Sequence, residues 1–382
     1  MLRRTLVQGG VAVVACAAID PAAWAQTPAQ TPAQSPVVRF GQSASLTGGQ
    51  AVYGKDVRDG LQAAFRAANR ADGKGPQVEL VTLDDGGDKE RCKANAAKLI
   101  ESGVTALVGL TSGAGAEACL PLVESQRVVL LGTASGNMGI RNEKLTMAYH
   151  VRPGYDVEYR RLVGYVRTFG MKRVGLVMLE DTSSANQQAM TAALMAANLE
   201  PTVTVRLNRN AKGFEGPVKS LLDAKLDCVV FSTNAQPVTS IVAGMAAGGY
   251  LGFYFASSFA GQTLIDDMAD KGHSIIMSHV VPRPNALANS VVKQYRDDLA
   301  ALGTGVRPGF TSLEGYIVGR VAVEAARASA KGGVASRSRF RDALAELNVD
   351  FGGYRTHFTS TSVLGSRFVD VVAIDRNGKI IG

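Results

Sequence analysis

From Val37 onward, short apolar runs alternate with longer stretches in which apolar residues recur every three or four positions. The runs Val37–Phe40, Val78–Leu83, Ala106–Leu110 and Val128–Leu131 read as strands. So do Val174–Leu179, Val203–Leu207, Asp227–Thr233, Phe253–Ser257 and Ile275–Val281. Between them lie amphipathic helices: Val57, Leu61, Ala64, Phe65 and Ala68 share one face, Cys92, Ala96, Leu99 and Ile100 another, and a third helix covers 115–126. Nearly continuous apolar strands separated by helices predict parallel sheets covered on both faces, an α/β class.

Two breaks interrupt this rhythm, Pro153-Gly154 and Pro282-Arg-Pro284, and a self-contained five-strand α/β unit lies between them. Helices follow at about 287–302, 309–331 and 337–347, then a strand at Val369–Ile374 and the turn Asp375-Arg-Asn-Gly378. Those three helices need a sheet to pack on, and the first is the candidate. At 382 residues the chain is long enough for two sheets, each with its own core.

The N-terminus adds an address. Arg3 and Arg4 precede an apolar stretch to about Ile19, and Ala23-Trp24-Ala25 precedes Gln26, the order of a secretory signal peptide over 1–25. A competing reading takes Val13-Val14-Ala15-Cys16 as a lipoprotein box with Cys16 lipidated. Residues 26–36 are rich in Pro, Gln, Thr and Ala and read as a flexible leader. The chain is therefore expected in the periplasm, free or lipid-anchored. In that oxidising compartment Cys92 and Cys119, on consecutive helices flanking one strand, form either a disulfide or two small buried hydrophobes.

The formal charge of +8 is spread along the chain, and a single Trp with scattered aromatics offers no stacking platform, so nucleic acid is not an expected partner. His150, His273, His279 and His357 show no metal spacing, no Gly-x-Ser-x-Gly occurs, and no catalytic constellation or cofactor is expected. Gly113-Ala-Gly115-Ala-Glu-Ala118 matches a dinucleotide fingerprint, but Gly132-Thr-Ala-Ser135 stands where the ribose-holding acid belongs. Ser112 and Ser135 carry the candidate chemistry. Each sits at the C-terminal end of a predicted parallel strand, where open α/β sheets hold ligands, and amides of Gly113 or Gly115 at a helix start would complete a carboxylate site. Each hydroxyl also reads as a helix cap, a role compatible with binding.

The series of motifs is similar to a known family. Gln42-Ser-Ala-Ser-Leu-Thr-Gly48 follows the first strand, Tyr53-Gly54 leads to Asp59-Gly60, and Leu83-Asp84-Asp85 precedes a helix. Gly109-Leu-Thr-Ser-Gly113 and Leu131-Gly-Thr-Ala-Ser135 follow consecutive strands, and Ile374-Asp-Arg-Asn-Gly378 closes the chain. Over 37–382 the body resembles the leucine/isoleucine/valine-binding-protein family, the periplasmic type I solute-binding proteins of ABC transporters. That resemblance implies two doubly wound parallel-sheet lobes joined by three crossovers, near 152, 283 and Asp350–Gly353. Lobe 1 would comprise 37–152 plus 283–350, and lobe 2 would comprise 153–282 plus 351–382.

The resemblance also implies a monomer that binds a small carboxylate and hands it to an inner-membrane ABC permease. The same fold also serves as a ligand-sensing receptor. The family's carboxylate-binding serine falls on Ser112, its hydroxyl pair on Thr133 and Ser135, and a cleft tyrosine on Tyr53, which reads equally as a loop aromatic packed on its own lobe. Loops of the second lobe would bring Ser183-Ser184, Asn234 and Ser257-Ser258 to the cleft. The family's aromatic-Gly pair is here Ser184-Ala185, and the acid that would clasp a ligand ammonium is Ser258. A buried ammonium needs a paired anion. The ligand is accordingly an amino acid, with Glu180-Asp181 supplying the anion, or an aromatic or short organic acid without an amine.

Overall fold

The computed structural model describes residues 9–10, 37–71, 75–142, 144–208, 211–303, 305–331 and 333–381. The expected signal peptide, Cys16 and the leader lie outside the described residues apart from Gly9 and Gly10. The first sheet is built from β1 (Val37–Ala44), α1 (Ala51–Arg70), β2 (Gln77–Asp84), α2 (Lys89–Glu101), β3 (Ala106–Val108), α3 (Gly113–Ser125), β4 (Val129–Leu131) and β5 (Ala148–Tyr149). Its strand order is β2-β1-β3-β4-β5, parallel throughout.

After α4 (Tyr155–Thr168) come β6 (Val174–Leu179), α5 (Ser184–Ala196), β7 (Pro201–Leu207), α6 (Glu215–Asp223), β8 (Cys228–Ser232), α7 (Ala235–Ala247), β9 (Phe253–Ala256), α8 (Gly261–Asp270) and β10 (Ile275–His279). These strands form the second sheet, ordered β7-β6-β8-β9-β10 and parallel. Every residue of β6 and β8 is buried, as an apolar run sandwiched between two helical layers must be. The fold is thus α/β, with two lobes on parallel sheets.

The helices α9 (Ser290–Leu302), α10 (Phe310–Ala330) and α11 (Arg337–Ala345) return to the first sheet. Phe340 of α11 packs on Phe40 of β1 with ring centres 5.4 Å apart. Helix α10 is buried on almost every face and lies along α1. The two helices approach closely because Gly60 and Gly315 face the partner backbone: a Cβ on Gly60 would stand 2.0 Å from Ser312 O, and one on Gly315 2.2 Å from Val57 O.

The third crossover is not where the sequence reading put it. At 350–353 the chain reverses between β11 (Asn348–Asp350) and β12 (Arg355–His357), with Asp350 Oδ1 accepting from the amides of Gly352 (2.8 Å) and Gly353 (3.4 Å). Both glycines hold positive φ, so the pair that looked like a hinge is a hairpin turn. The chain then stays beside the end of β5: the His150 amide donates to Val363 O, the Gly365 amide to His150 O, and Phe358 meets Tyr149 edge-on at 5.2 Å. It enters the second sheet only as β13 (Asp370–Ile374), antiparallel to β10 and followed by β14 (Ile380–Ile381).

Candidate functional site

The C-terminal ends of both parallel sheets face one another, and a cavity of about 470 Å³ lies between them. The turns after β1, β2, β3 and β4 form one bank, and the segments after β6, β8 and β9 form the other, joined by Tyr155 of α4. This is the crevice that strand ends leave in open α/β sheets.

On the first bank β3 runs through Thr111 and Ser112 into α3. Ser112 holds extended backbone angles and caps the helix, its Oγ accepting from Gly115 N at 3.1 Å. The capping role leaves the hydroxyl proton available, and the amides of Gly113 and Ala114, in the first helical turn, have no intrahelical acceptor. All three residues border the cavity, as does Ser135 from the turn after β4. A Cβ on Gly113 would stand 2.6 Å from Ser135 Oγ, so glycine is what lets the two turns meet. Ser135 Oγ accepts from Asn137 N at 3.2 Å and lies 3.4 Å from the Tyr155 hydroxyl. Thr133 and Tyr53 do not border the cavity. Thr133 is 2% exposed, and its Oγ1 lacks a hydrogen-bond partner. Tyr53 donates to Ala134 O at 2.6 Å and lays its ring against Gly261 of the second lobe.

On the second bank the cap of α5 is Ser183, whose Oγ accepts from Asn186 N at 3.3 Å and which borders the cavity; Ser184, one residue on, is exposed and does not. Asn234 borders it too, its Oδ1 engaged by the Thr233 hydroxyl at 3.1 Å. Two residues that sequence reasoning did not single out also line it: Phe259 and Tyr155, with ring centres 6.2 Å apart. Tyr155 stacks in turn on Tyr159, which meets Ser232 Oγ at 2.5 Å.

The banks touch directly. Met138 N donates to Asn186 Oδ1 at 2.8 Å, and Ser183 Oγ donates to Asn137 Oδ1 at 3.3 Å. Asn137 also ties its own bank together, donating to Gly113 O at 3.0 Å and Glu117 Oε2 at 2.9 Å. Away from the cavity the lobes also meet where the Gln262 backbone amide of α8 donates to Thr311 Oγ1 of α10 at 2.9 Å.

Beside Tyr155 lies a buried charge cluster that the sequence did not disclose. Arg152, 2% exposed, pairs with Glu158 of α4 and with Glu314 of α10 at 3.2 Å, and its guanidinium stands 5.7 Å from the centre of the Tyr155 ring. Ser258, expected at the cleft, instead turns here: its amide and hydroxyl donate to Glu158 at 3.0 Å each, and Arg152 donates to its Oγ at 2.7 Å. Ser278 Oγ adds a third donor residue to Glu158 at 2.7 Å. Burial alone would lower the Arg152 pKa, but Glu314 and Glu158 outweigh it and hold the guanidinium above its ordinary value. Burial raises the Glu314 carboxyl despite Arg152.

Cys92 and Cys119 are buried unbonded thiols beside one another, and the Cys119 neighbour together with burial pushes the Cys92 thiol up. Among the described residues no group of three His, Cys, Asp or Glu side chains is placed to hold a metal, and no helix is long and apolar enough to cross a membrane. None of the histidines borders the cavity, and burial lowers His279 to about 3.

Residues 37–379 match the family model described as periplasmic binding protein. The Leu/Ile/Val-binding protein BraC3 of Rhizobium johnstonii is 27% identical over 200 residues, 51% of this chain and 54% of that protein, so the chain spans about half the length of this curated relative. A possible leucine/isoleucine/valine-binding protein from Rhodopirellula baltica superposes with a TM-score of 0.84 at 25% identity, covering 92% of this chain and 98% of that one. A solute-binding protein of an ABC transporter from R. palustris, solved with 4-hydroxybenzoate, superposes at 0.76 with 18% identity over 90% and 95% of the two chains. With a match running from the first strand to the last turn, the chain belongs to the periplasmic binding protein family.

Proposed function

We propose that the chain is the solute-capturing component of an ABC uptake system, closing over one small carboxylate and delivering it unchanged to an inner-membrane permease. On this reading it works in the periplasm as a monomer, after removal of residues 1–25. Its two lobes hinge at crossovers near 152, near 283 and, in place of 350, in the stretch before Asp370.

The observation that carries the reading is the convergence of Ser112, Ser135 and the open amides of Gly113 and Ala114 on a cavity enclosed by both lobes. Hydroxyl and amide donors at a helix N-terminus suit an anion, and closure of the second bank would remove it from water. The relatives' names and titles bring leucine, isoleucine, valine and 4-hydroxybenzoate, which share a carboxylate and differ in the ammonium.

The test is calorimetry of the mature protein against a panel of amino acids, aromatic acids and dicarboxylates, repeated with the Ser112→Ala, Ser135→Ala double variant. Loss of two hydrogen bonds to a charged group should cost about 3–6 kcal/mol of binding. Undiminished binding by the double variant would refute this site.

A further inference from the structure

Resting on the solute-binding reading above, we propose that the ligand is a small carboxylate whose α-carbon carries no ammonium group, because the buried carboxylates behind Tyr155 are sealed by the protein's own donors and the acids that border the cavity are capped, tied to Asn137 or exposed to water.

An α-amino acid places its ammonium on the carbon next to the carboxylate. If Ser112 and Ser135 hold the carboxylate, an acid must stand beside these turns, since an unpaired ammonium taken out of water is strongly disfavoured. Behind Tyr155, whose ring stands 5.7 Å from the Arg152 guanidinium, lie two buried carboxylates, Glu158 and Glu314. Glu158 is fully buried and receives Arg152, the amide and hydroxyl of Ser258 and the hydroxyl of Ser278. Glu314 is taken by the same arginine at 3.2 Å. Neither side chain borders the cavity, and Tyr155 and Phe259 present their rings in place of this cluster.

The acids that do border the cavity are arranged differently. Glu117 is turned against Gly139, where a Cβ would lie within 2.6 Å of both its oxygens, and it accepts from Asn137. Asp88 caps α2 through Arg91 N at 2.7 Å, and both Asp88 and Asp181 are exposed, where pairing with an ammonium is weak. The site is therefore asymmetric: a carboxylate meets hydroxyl and amide donors, whereas an ammonium beside it meets serine oxygens, Tyr155 and carboxylates already engaged. Leu179, Phe259 and Tyr155 leave apolar surface for the rest of the ligand.

Matched pairs test this directly by titration calorimetry of the mature, unmutated protein: 4-methylpentanoate against leucine, 3-phenylpropanoate against phenylalanine, and butanedioate against aspartate, with 4-methylpentanamide as the uncharged control. In at least one pair the amine-free acid should bind and its amino acid bind at least about 100-fold more weakly, a gap of about 2.7 kcal/mol. An amino acid that binds as tightly as its amine-free partner would overturn the inference and leave the solute-binding reading standing. The amide binding as tightly as the acid would overturn the requirement for a carboxylate. Silence from every compound would overturn the inference and the carboxylate-capture reading together.

Discussion

The two banks of the cleft use the same part, a strand end running into a helix N-terminus, but differ in what they leave available. On the first bank Ser112 satisfies only its own helix, through Gly115 N, so its hydroxyl proton and the neighbouring amides remain open toward the cavity. Behind the second, outside the cavity lining, Arg152, Glu158, Ser258 and Ser278 satisfy one another. Charge density and binding capacity are thus separated. The buried charged cluster is structural, tying α4, the strand end at Ser278 and α10 together through Arg152, whereas the hydroxyl and amide donors of the first bank are equipped to receive an anion.

This contrast breaks most sharply under substitution. Glu158→Ala would leave Arg152 with one carboxylate and orphan the donors of Ser258 and Ser278. Removing one member of a buried ionic network costs about 3–5 kcal/mol, whereas Ser112→Ala removes a helix cap worth about 1 kcal/mol. Urea unfolding should therefore rank Glu158→Ala well below Ser112→Ala in stability, while the binding assay reverses the order. Equal unfolding midpoints would mean that the second bank is not self-contained.

The next effect distinguishes the lobes by covalent chemistry. Cys92 and Cys119 lie side by side between α2 and α3 of the first lobe, while Cys228 is buried alone in β8 of the second. In an oxidising compartment the first pair is expected to close, adding about 3 kcal/mol to the lobe that carries the anion site. Thiol labelling of the denatured, unreduced mature protein should then mark Cys228 alone. Labelling of all three would show that the lobes are stapled alike, by packing only.

How much of this was legible in the sequence depends on how local each signal is. The runs Val174–Leu179 and Cys228–Ser232 announced themselves because every residue is buried. Ala148–Tyr149 is a strand of two residues and carries no period to detect. Ser112 and Ser135 were readable because a hydroxyl between a strand and a helix start is a local pattern. The cap of α5 was blurred by two adjacent serines, and it is Ser183, with extended ψ of 149°, that takes the role. Ser258 was misplaced for a longer-range reason: its partner Glu158 lies 100 residues earlier, and nothing near either residue marks the pairing. Arg152, next to Pro153-Gly154, was read only as part of a break in the alternation. The third crossover was missed because a glycine pair marks a reversal as readily as a change of lobe.

The smallest expected effect lies at a third meeting of the lobes, where charge is opposed rather than paired. Asp56 of α1 stands near Asp59 of its own helix, which is held by Arg58 at 2.8 Å, and near Asp266 of α8, which accepts from Gln262 at 3.1 Å. Burial first, then Asp59 and Asp266, raise the Asp56 carboxyl to about 7. A raised acid takes up a proton on folding, so this contribution to stability is complete below the unfolded value near 3.8 and is lost as pH climbs through about 7. Solvent screening at the lobe boundary reduces it to about 1–2 kcal/mol. The urea midpoint should fall between pH 5 and pH 8, more in the wild type than in Asp56→Asn, which removes the titrating group while keeping its shape. A variant that keeps the full pH slope would place that titration elsewhere and leave the buried Arg152 cluster as the charged contact that couples the lobes.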